Sequence, residues 1–180
     1  MIETPHAVLA FWREAGPNKW FNKDTAFDDA IRGRFLATHE AAAAGQLAAW
    51  EENAEGALAL LITLDQFPRN MFRGSARAFA TDPLAREVAD RAIAKGFDQQ
   101  VAAFERGFFY LPGMHSERLA DQERCVALYE ALGDPEDLKY AQIHAEIIRK
   151  FGRFPHRNAV LGRATTSEEQ AFLDSGGFAG

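Results

Sequence analysis

The stretch Asn53-Ala-Glu-Gly-Ala-Leu-Ala-Leu-Leu-Ile-Thr-Leu-Asp-Gln66 decides the fold, because nearly every residue between its polar ends is small or apolar. That pattern is typical of a helix that is buried on most of its sides. Its strongly apolar run, Ala57–Leu64, is far shorter than the roughly 20 residues that a membrane-spanning helix needs. The stretch therefore predicts a central core helix in a protein without a membrane anchor.

Helical spacing continues on both sides of this core helix, and no stretch alternates apolar and polar residues as a half-buried strand does. Start and stop signals divide the chain into helices. Asp134 and Pro135 mark one helix start, and Gly152 marks the end of the same helix. Successive helices with short connections predict an all-α, antiparallel α-hairpin array that is TPR-like, as a single domain over residues 1–180.

Three further signals predict where helices begin or end. The proline that follows Phe67 disfavours helical geometry at that residue, so we expect a helix end there. Pro112 and Gly113 predict a turn. Thr166 and Glu169 have the spacing of a capping box, which predicts the start of a short final helix.

The composition limits the class of function. The chain has 180 residues, with 20 Lys and Arg against 26 Asp and Glu, and its net charge of -6 disfavours attraction to nucleic acid or anionic lipid. Its one cysteine, Cys125, has no partner for an intrachain disulfide, and no secretory signal pattern is present. We expect a cytoplasmic protein that binds neither nucleic acid nor membrane.

The segment Phe151-Gly-Arg-Phe-Pro-His-Arg-Asn-Ala-Val-Leu-Gly-Arg163 combines cations with anchoring aromatic residues. Its polar candidates are Arg153, His156, Arg157, Asn158 and Arg163. The planar fork of an arginine suits a carboxylate or a phosphate, so the segment predicts an anionic ligand. The alternative is that these arginines pair with surplus carboxylates of the chain and tie the segment to the core.

A second polar cluster contains Asp65, Arg69, Asn70 and Arg73. Asp65, Arg69 and Arg73 are spaced by four residues and share one face if helicity resumes quickly after the proline. In that arrangement Asp65 holds Arg69 in place, either to orient it toward a ligand or as a plain ion pair at a helix end.

Histidines supply the third set of candidates. His115 is a candidate acid or base with Glu117 as the residue that orients it, although capping of the next helix also explains Ser116 and Glu117. His144 lies on the helical face that carries Tyr140, which favours a core histidine with a hydrogen-bonded nitrogen. It is also placed to line a pocket beside the arginine segment.

Sequence templates for metal and nucleophile sites are absent, since the chain contains no HExxH, CxxC, GxSxG or Gly-rich phosphate loop. We therefore expect no metal and no cofactor.

Several stretches in order resemble a bacterial family of unknown function, number nine hundred and twenty-four of the domain-of-unknown-function series. They are Phe11-Trp12, Lys19–Phe21, Leu64–Gly74, Ala78–Ala85, Met114–Glu117, Phe151–Arg163 and Thr165–Glu169. The resemblance implies a TPR-like helical fold and supplies no established activity. The chain departs from the pattern at Gly113, where we expect an apolar residue.

The leading hypothesis is a helical module that binds a small anionic molecule or an acidic peptide end. Its expected pocket residues are Arg69, Arg73, Arg153, His156, Arg157 and Arg163. The first alternative is a hydrolase or transferase for a phosphorylated or carboxylated substrate, with His115 or His156 as acid or base. The second alternative is a TPR-type adaptor that binds a protein partner.

Overall fold

The computed structural model describes residues 1–178, which form helices and connecting turns and contain no β-strand. The all-α prediction is confirmed, whereas the TPR-like arrangement stays a prediction. The α-helices are α1 (Pro5–Ala15), α2 (Pro17–Trp20), α3 (Thr25–Ala43), α4 (Ala54–Leu61), α5 (Phe67–Met71), α6 (Asp82–Ala94), α7 (Ala103–Met114), α8 (Leu119–Leu132), α9 (Pro135–Phe151) and α10 (Ser167–Asp174). Within residues 1–178 no helix has the length and apolar character needed to cross a bilayer.

The contacts of the chain divide it into two compact units. The first unit contains Met1–Arg73 and Arg77–Pro112, and the second contains Gly74–Ala76 and the chain from Gly113 onward. The expectation of a single domain stays a prediction.

The core helix of the first unit is α4, as the sequence predicts, and every residue of it except Glu55 is buried. Helicity does not end at Phe67, so that prediction is wrong. A π-helical turn, Ile62–Gln66, leads directly from α4 into α5, and Phe67 has helical dihedral angles. The fully buried Phe67 ring packs on Phe35 at 4.7 Å between ring centroids, and this packing outweighs the local preference set by the following proline.

The predicted turn at Pro112 and Gly113 is also wrong, because both residues lie inside α7. A proline inside a helix costs about 3 kcal/mol. The neighbouring side chains Phe109, Leu111 and Met114 are buried, and burial of each such side chain contributes about 1.5 to 3 kcal/mol. Packing therefore keeps the helix continuous through the proline.

The second unit is built on α8 and α9, which pack against each other. The start of α9 is as predicted, since the Asp134 carboxylate accepts hydrogen bonds from the backbone N–H groups of Glu136 and Asp137. Its end is also as predicted, with Gly152 in the left-handed region at φ 69°. The chain then makes a short 3-10 turn, Pro155–Arg157, before α10.

Candidate functional site

In the first unit Arg69 lies between two buried carboxylates. Its guanidinium donates two hydrogen bonds to Asp82, at 2.9 and 3.1 Å, and lies 3.2 Å from an Asp65 oxygen. A further N–H donates to the Asp65 backbone carbonyl at 2.6 Å. The carboxylates of this unit thus occupy the fork of Arg69 that a ligand would need.

Arg73 is held in the same way by a different helix. Its guanidinium donates to both oxygens of Asp28 on α3, at 2.8 and 3.0 Å, and Asn70 donates to Asp28 at 2.8 Å. Burial acts to raise the pKa of Asp28, but the hydrogen bonds from Arg73 and Asn70 hold that pKa below its usual value. Asp28 is therefore a buried anion that joins α3 to the chain after α5.

In the second unit Arg153 is engaged by Glu169. The guanidinium donates at 2.6 and 2.8 Å to the two carboxylate oxygens, and one N–H also donates to the Ala164 carbonyl at 2.8 Å. Glu169 in turn closes the predicted capping box with Thr166 at the start of α10. The Arg153 hydrogen bond and the Thr166 backbone N–H lower the pKa of Glu169 to about 2.

Glu117 binds Arg163 rather than acting as a cap. The Arg163 guanidinium donates to its two oxygens at 2.7 and 3.0 Å, and the backbone N–H of Phe154 donates to it at 2.9 Å. Burial raises the pKa of Glu117, but these hydrogen bonds bring that pKa below its usual value. Because α8 begins only at Leu119, Glu117 lies outside its first turn. The carboxylate that we expected to orient His115 thus fixes the loop after α9.

Three histidines from separate segments lie close together, and two of them contact the Phe154 ring, which is fully buried. The His115 ring lies 6.5 Å from the ring of His144 on α9, and His144 lies 5.5 Å from Phe154. The His156 ring, which belongs to the 3-10 turn, lies 5.6 Å from the Phe154 ring. We call His115, His144 and His156 the histidine cluster.

Arg157 joins this cluster from the same 3-10 turn. Its guanidinium lies 4.4 Å from the centroid of the Phe154 ring, in the geometry of a cation-π contact, and one N–H donates to the His115 carbonyl at 3.0 Å. Arg157 is buried. It therefore places a positive charge beside the imidazoles.

The imidazoles of His144 and His156 are neutral at ordinary pH. Burial lowers the pKa of His144 to about 3, although Nδ1 bonds to the Tyr140 carbonyl at 2.8 Å, as expected for a core histidine. Burial, followed by the charge of Arg157, lowers the pKa of His156 to about 4. His144 and His156 thus present uncharged rings beside the positive charge of Arg157.

Two polar atoms close to Arg157 in sequence are buried without a hydrogen-bond partner among residues 1–178. They are Nδ1 of His156 and Oδ1 of Asn158. The amide nitrogen of Asn158 instead donates to Thr165 and Glu169, at 3.4 and 3.3 Å. A buried polar atom left without a partner costs about 1 to 3 kcal/mol, so these two atoms are able to bind a ligand group.

The sequence-predicted site residues thus fall into two groups. Asp65, Arg69, Asn70 and Arg73 lie in the first unit, and the remaining candidates lie in the second. The sequence did not predict that the carboxylates of Asp28, Asp82 and Glu169 bind these arginines. Their only signal is the surplus of acidic residues, which does not say which one pairs with which arginine. Among the described residues, no three His, Cys, Asp or Glu side chains are arranged to hold a metal ion.

Comparisons with known proteins identify a family and a similar solved structure. A family model described as a bacterial protein of unknown function (DUF924) matches residues 8–177. A solved structure of a protein of unknown function from Agrobacterium tumefaciens is 50% identical, covers 95% of this chain and 97% of its own, and superposes with a TM-score of 0.92. The comparison with curated proteins gives no match. Because the family model spans nearly all of the sequence, the chain belongs to the DUF924 family of bacterial proteins of unknown function.

Proposed function

We propose that the second unit binds a small anion, or the carboxylate end of an acidic peptide, at the histidine cluster beside Arg157. The observation that carries this proposal is that His144 and His156 both lie on the Phe154 ring and that His115 lies beside His144. These residues come from the turn after α7, from α9 and from the 3-10 turn, so only the folded chain brings them together.

The electrostatics of the cluster favour an anion over a cation. Burial is the main reason that the pKa of both His144 and His156 is lowered, and the charge of Arg157 lowers both further, while Glu117 acts in the opposite direction on His156. The two imidazoles thus lie in the positive field of Arg157. An anion bound there gains from that field, and a neutral imidazole still donates one N–H to it. His156 is the best placed donor, because its buried Nδ1 has no partner within residues 1–178.

The paired arginines support this site without forming it. Arg153 and Arg163 hold the loop on either side of the 3-10 turn through Glu169 and Glu117. Residues that orient a binding group in this way commonly decide its geometry. We therefore propose that the anion pocket contains the histidine cluster and Arg157, and not the arginines that are paired with carboxylates.

The test is the titration of the histidine side chains by NMR, with and without inorganic phosphate. A bound anion stabilises the imidazolium, so saturating phosphate is expected to raise the pKa of His156 by about one unit. His156→Gln lacks this imidazole and therefore identifies the NMR signal that belongs to His156. His6→Gln is the matched control, because His6 is exposed on α1 in the first unit. A His156 pKa that is the same with and without phosphate would refute the proposal.

A second candidate is an enzyme in which His115 or His156 acts as acid or base. The observation that favours it is that His156 is neutral at pH 7 and lies within electrostatic range of His115. A neutral imidazole can accept a proton from a substrate or from water. Hydrolysis of p-nitrophenyl phosphate that is lost in His156→Gln and kept in His6→Gln would establish this activity. If the protein binds phosphate but does not hydrolyse p-nitrophenyl phosphate, the enzyme candidate is refuted and only the binding function is supported.

A further inference from the structure

An aromatic side chain of the segment after α10 lies against the histidine cluster. The Phe178 ring is 4.4 Å from the His144 ring and 5.6 Å from the His156 ring, measured between centroids. Phe178 is only partly buried, although it packs against the core formed by Ile147, Ile148 and Phe154. It therefore covers the cluster from a position that stays open to solvent on one side.

Two glycines bring Phe178 to this position. Gly176 has φ 80°, in the left-handed region, and Gly177 donates its N–H to the Phe172 carbonyl at 3.0 Å. A Cβ at Gly177 would lie 2.5 Å from the Phe172 ring and 2.6 Å from that carbonyl. The tight turn that returns the chain to the histidines thus requires glycine at 177.

We propose that Phe178 occupies an aromatic subsite of the anion site, and that the natural ligand is an aromatic anion, such as an aryl carboxylate or an aryl phosphate, which displaces the Phe178 ring. This inference rests on the proposed function and names the ligand class for the same site.

The walls of the subsite suit a flat ring. The His144 ring is inclined at 58° to Phe178 and at 73° to Phe154, while His156 is inclined at 75° to Phe178. The contacts at 73° and 75° are the edge-to-face arrangement that aromatic pairs prefer, and the contact at 58° is tilted. An aliphatic group of equal size fills the same space without these contacts.

The anionic end of the ligand has its own place beside the ring. Arg157 lies over the Phe154 ring at 4.4 Å, and the unpartnered Nδ1 belongs to His156, which also contacts Phe178. Phe178 brings an aromatic ring and no anionic group on its side chain. It therefore competes for the aromatic part of the site and supplies no anionic group to Arg157 or His156.

The experiment measures dissociation constants by calorimetry for phenyl phosphate, cyclohexyl phosphate and inorganic phosphate. In Phe178→Ala, phenyl phosphate is expected to bind about tenfold more tightly than to the unaltered protein, since it no longer has to displace a ring. The constants for cyclohexyl phosphate should improve less, and those for inorganic phosphate should stay unchanged. Phe104→Ala is the matched control, because Phe104 is an exposed phenylalanine of the first unit. Benzoate and cyclohexanecarboxylate repeat the comparison for a carboxylate ligand.

The outcomes separate this inference from the proposed function. Phenyl phosphate that binds Phe178→Ala no more tightly, or equal gains for all three phosphates, would overturn the aromatic subsite while the response of His156 to inorganic phosphate keeps the anion site. The absence of any His156 response to inorganic phosphate in both proteins would overturn both. If Phe178→Ala lowers the helical circular dichroism, Phe178→Leu provides the same comparison with the apolar volume largely kept, and its expected gain has the same sign.

Discussion

The segments Asp65–Arg73 and Arg153–Arg163 have similar compositions and different surroundings. In each, two arginines make two-point contacts with carboxylates from elsewhere in the same unit. In the first unit these pairs join α3, α5 and α6, and none of the histidines within residues 1–178 takes part in them. In the second unit the same kind of pair holds the segment that carries Phe154 and His156. Arginine content alone therefore does not mark a binding site, and the difference lies in what the paired arginines hold in place.

The largest expected effect concerns the first of these segments. Arg69→Met leaves Asp65 and Asp82 buried without their cation, and removal of one partner of a buried ion pair destabilises a protein by about 3 to 5 kcal/mol. Urea denaturation at pH 7 measures this loss. The folded fraction should still show the phosphate response of His156, because Arg69 belongs to the other unit.

Arg91→Met provides the matched control in the same unit. Arg91 also makes a two-point contact, with Glu51 at 2.7 and 2.9 Å, but 47% of its side chain is exposed. Exposed pairs contribute about 0 to 1 kcal/mol, so this change should have little effect. Equal losses in Arg69→Met and Arg91→Met would show that burial does not set the strength of these pairs. Loss of the phosphate response in folded Arg69→Met would contradict the separation of the two segments.

The next effect is a pH dependence that belongs to the histidine cluster. The pKa of His144 is about 3 in the folded chain and about 6.5 when the chain is unfolded, so the unfolded state binds more protons between these values. Stability is therefore expected to fall as the pH is lowered from 6.5 to 4.5, by about 2 kcal/mol for this residue at 1.36 kcal/mol per pKa unit. His144→Gln should reduce the slope in this window and leave the part that comes from His156, whose pKa is also lowered, to about 4. Urea denaturation at several pH values measures both.

The pH window from 6.5 to 4.5 separates the effect of His144 from that of the Glu169 carboxylate. Because the pKa of Glu169 is lowered to about 2, its contribution is present above about 4.5 and is lost only as the pH falls below that value. His6→Gln should leave the slope between pH 6.5 and 4.5 as it is in the unaltered protein. A slope that does not change in His144→Gln would mean that its imidazole is not held neutral by burial.

The features that the sequence predicts well are the local ones. The start of α9 at Asp134, its end at Gly152 and the capping box of Thr166 with Glu169 each depend on residues within a few positions of one another. The core helix is equally evident, since its apolar residues are contiguous. Such signals need no knowledge of what the rest of the chain does.

The features that the sequence misses depend on distant contacts. Helicity through Phe67 and through Pro112 is maintained by buried side chains around them, against the local preference of proline. The counterions of the arginines lie up to 46 positions away, as for Arg163 and Glu117. The position of Phe178 on the histidine cluster likewise follows from the turn after α10. The residues near Phe178 in the sequence do not predict its contact with His144.

The smallest effects come from one glycine in each unit. Gly177→Ala places a methyl group against the Phe172 ring and backbone, and such overpacking costs about 1 to 3 kcal/mol. Gly33 is exposed within α3 and has open space where a methyl group would lie, so Gly33→Ala should stabilise the chain by about 0.5 to 1 kcal/mol. Thermal unfolding measures both changes. Because Gly177 positions Phe178, its substitution should also tighten phenyl phosphate binding, whereas Gly33→Ala should leave that binding unchanged. If Gly177→Ala is destabilised and does not alter phenyl phosphate binding, the turn at Gly177 serves packing alone, and only the response of His156 to phosphate still distinguishes the second segment from the first.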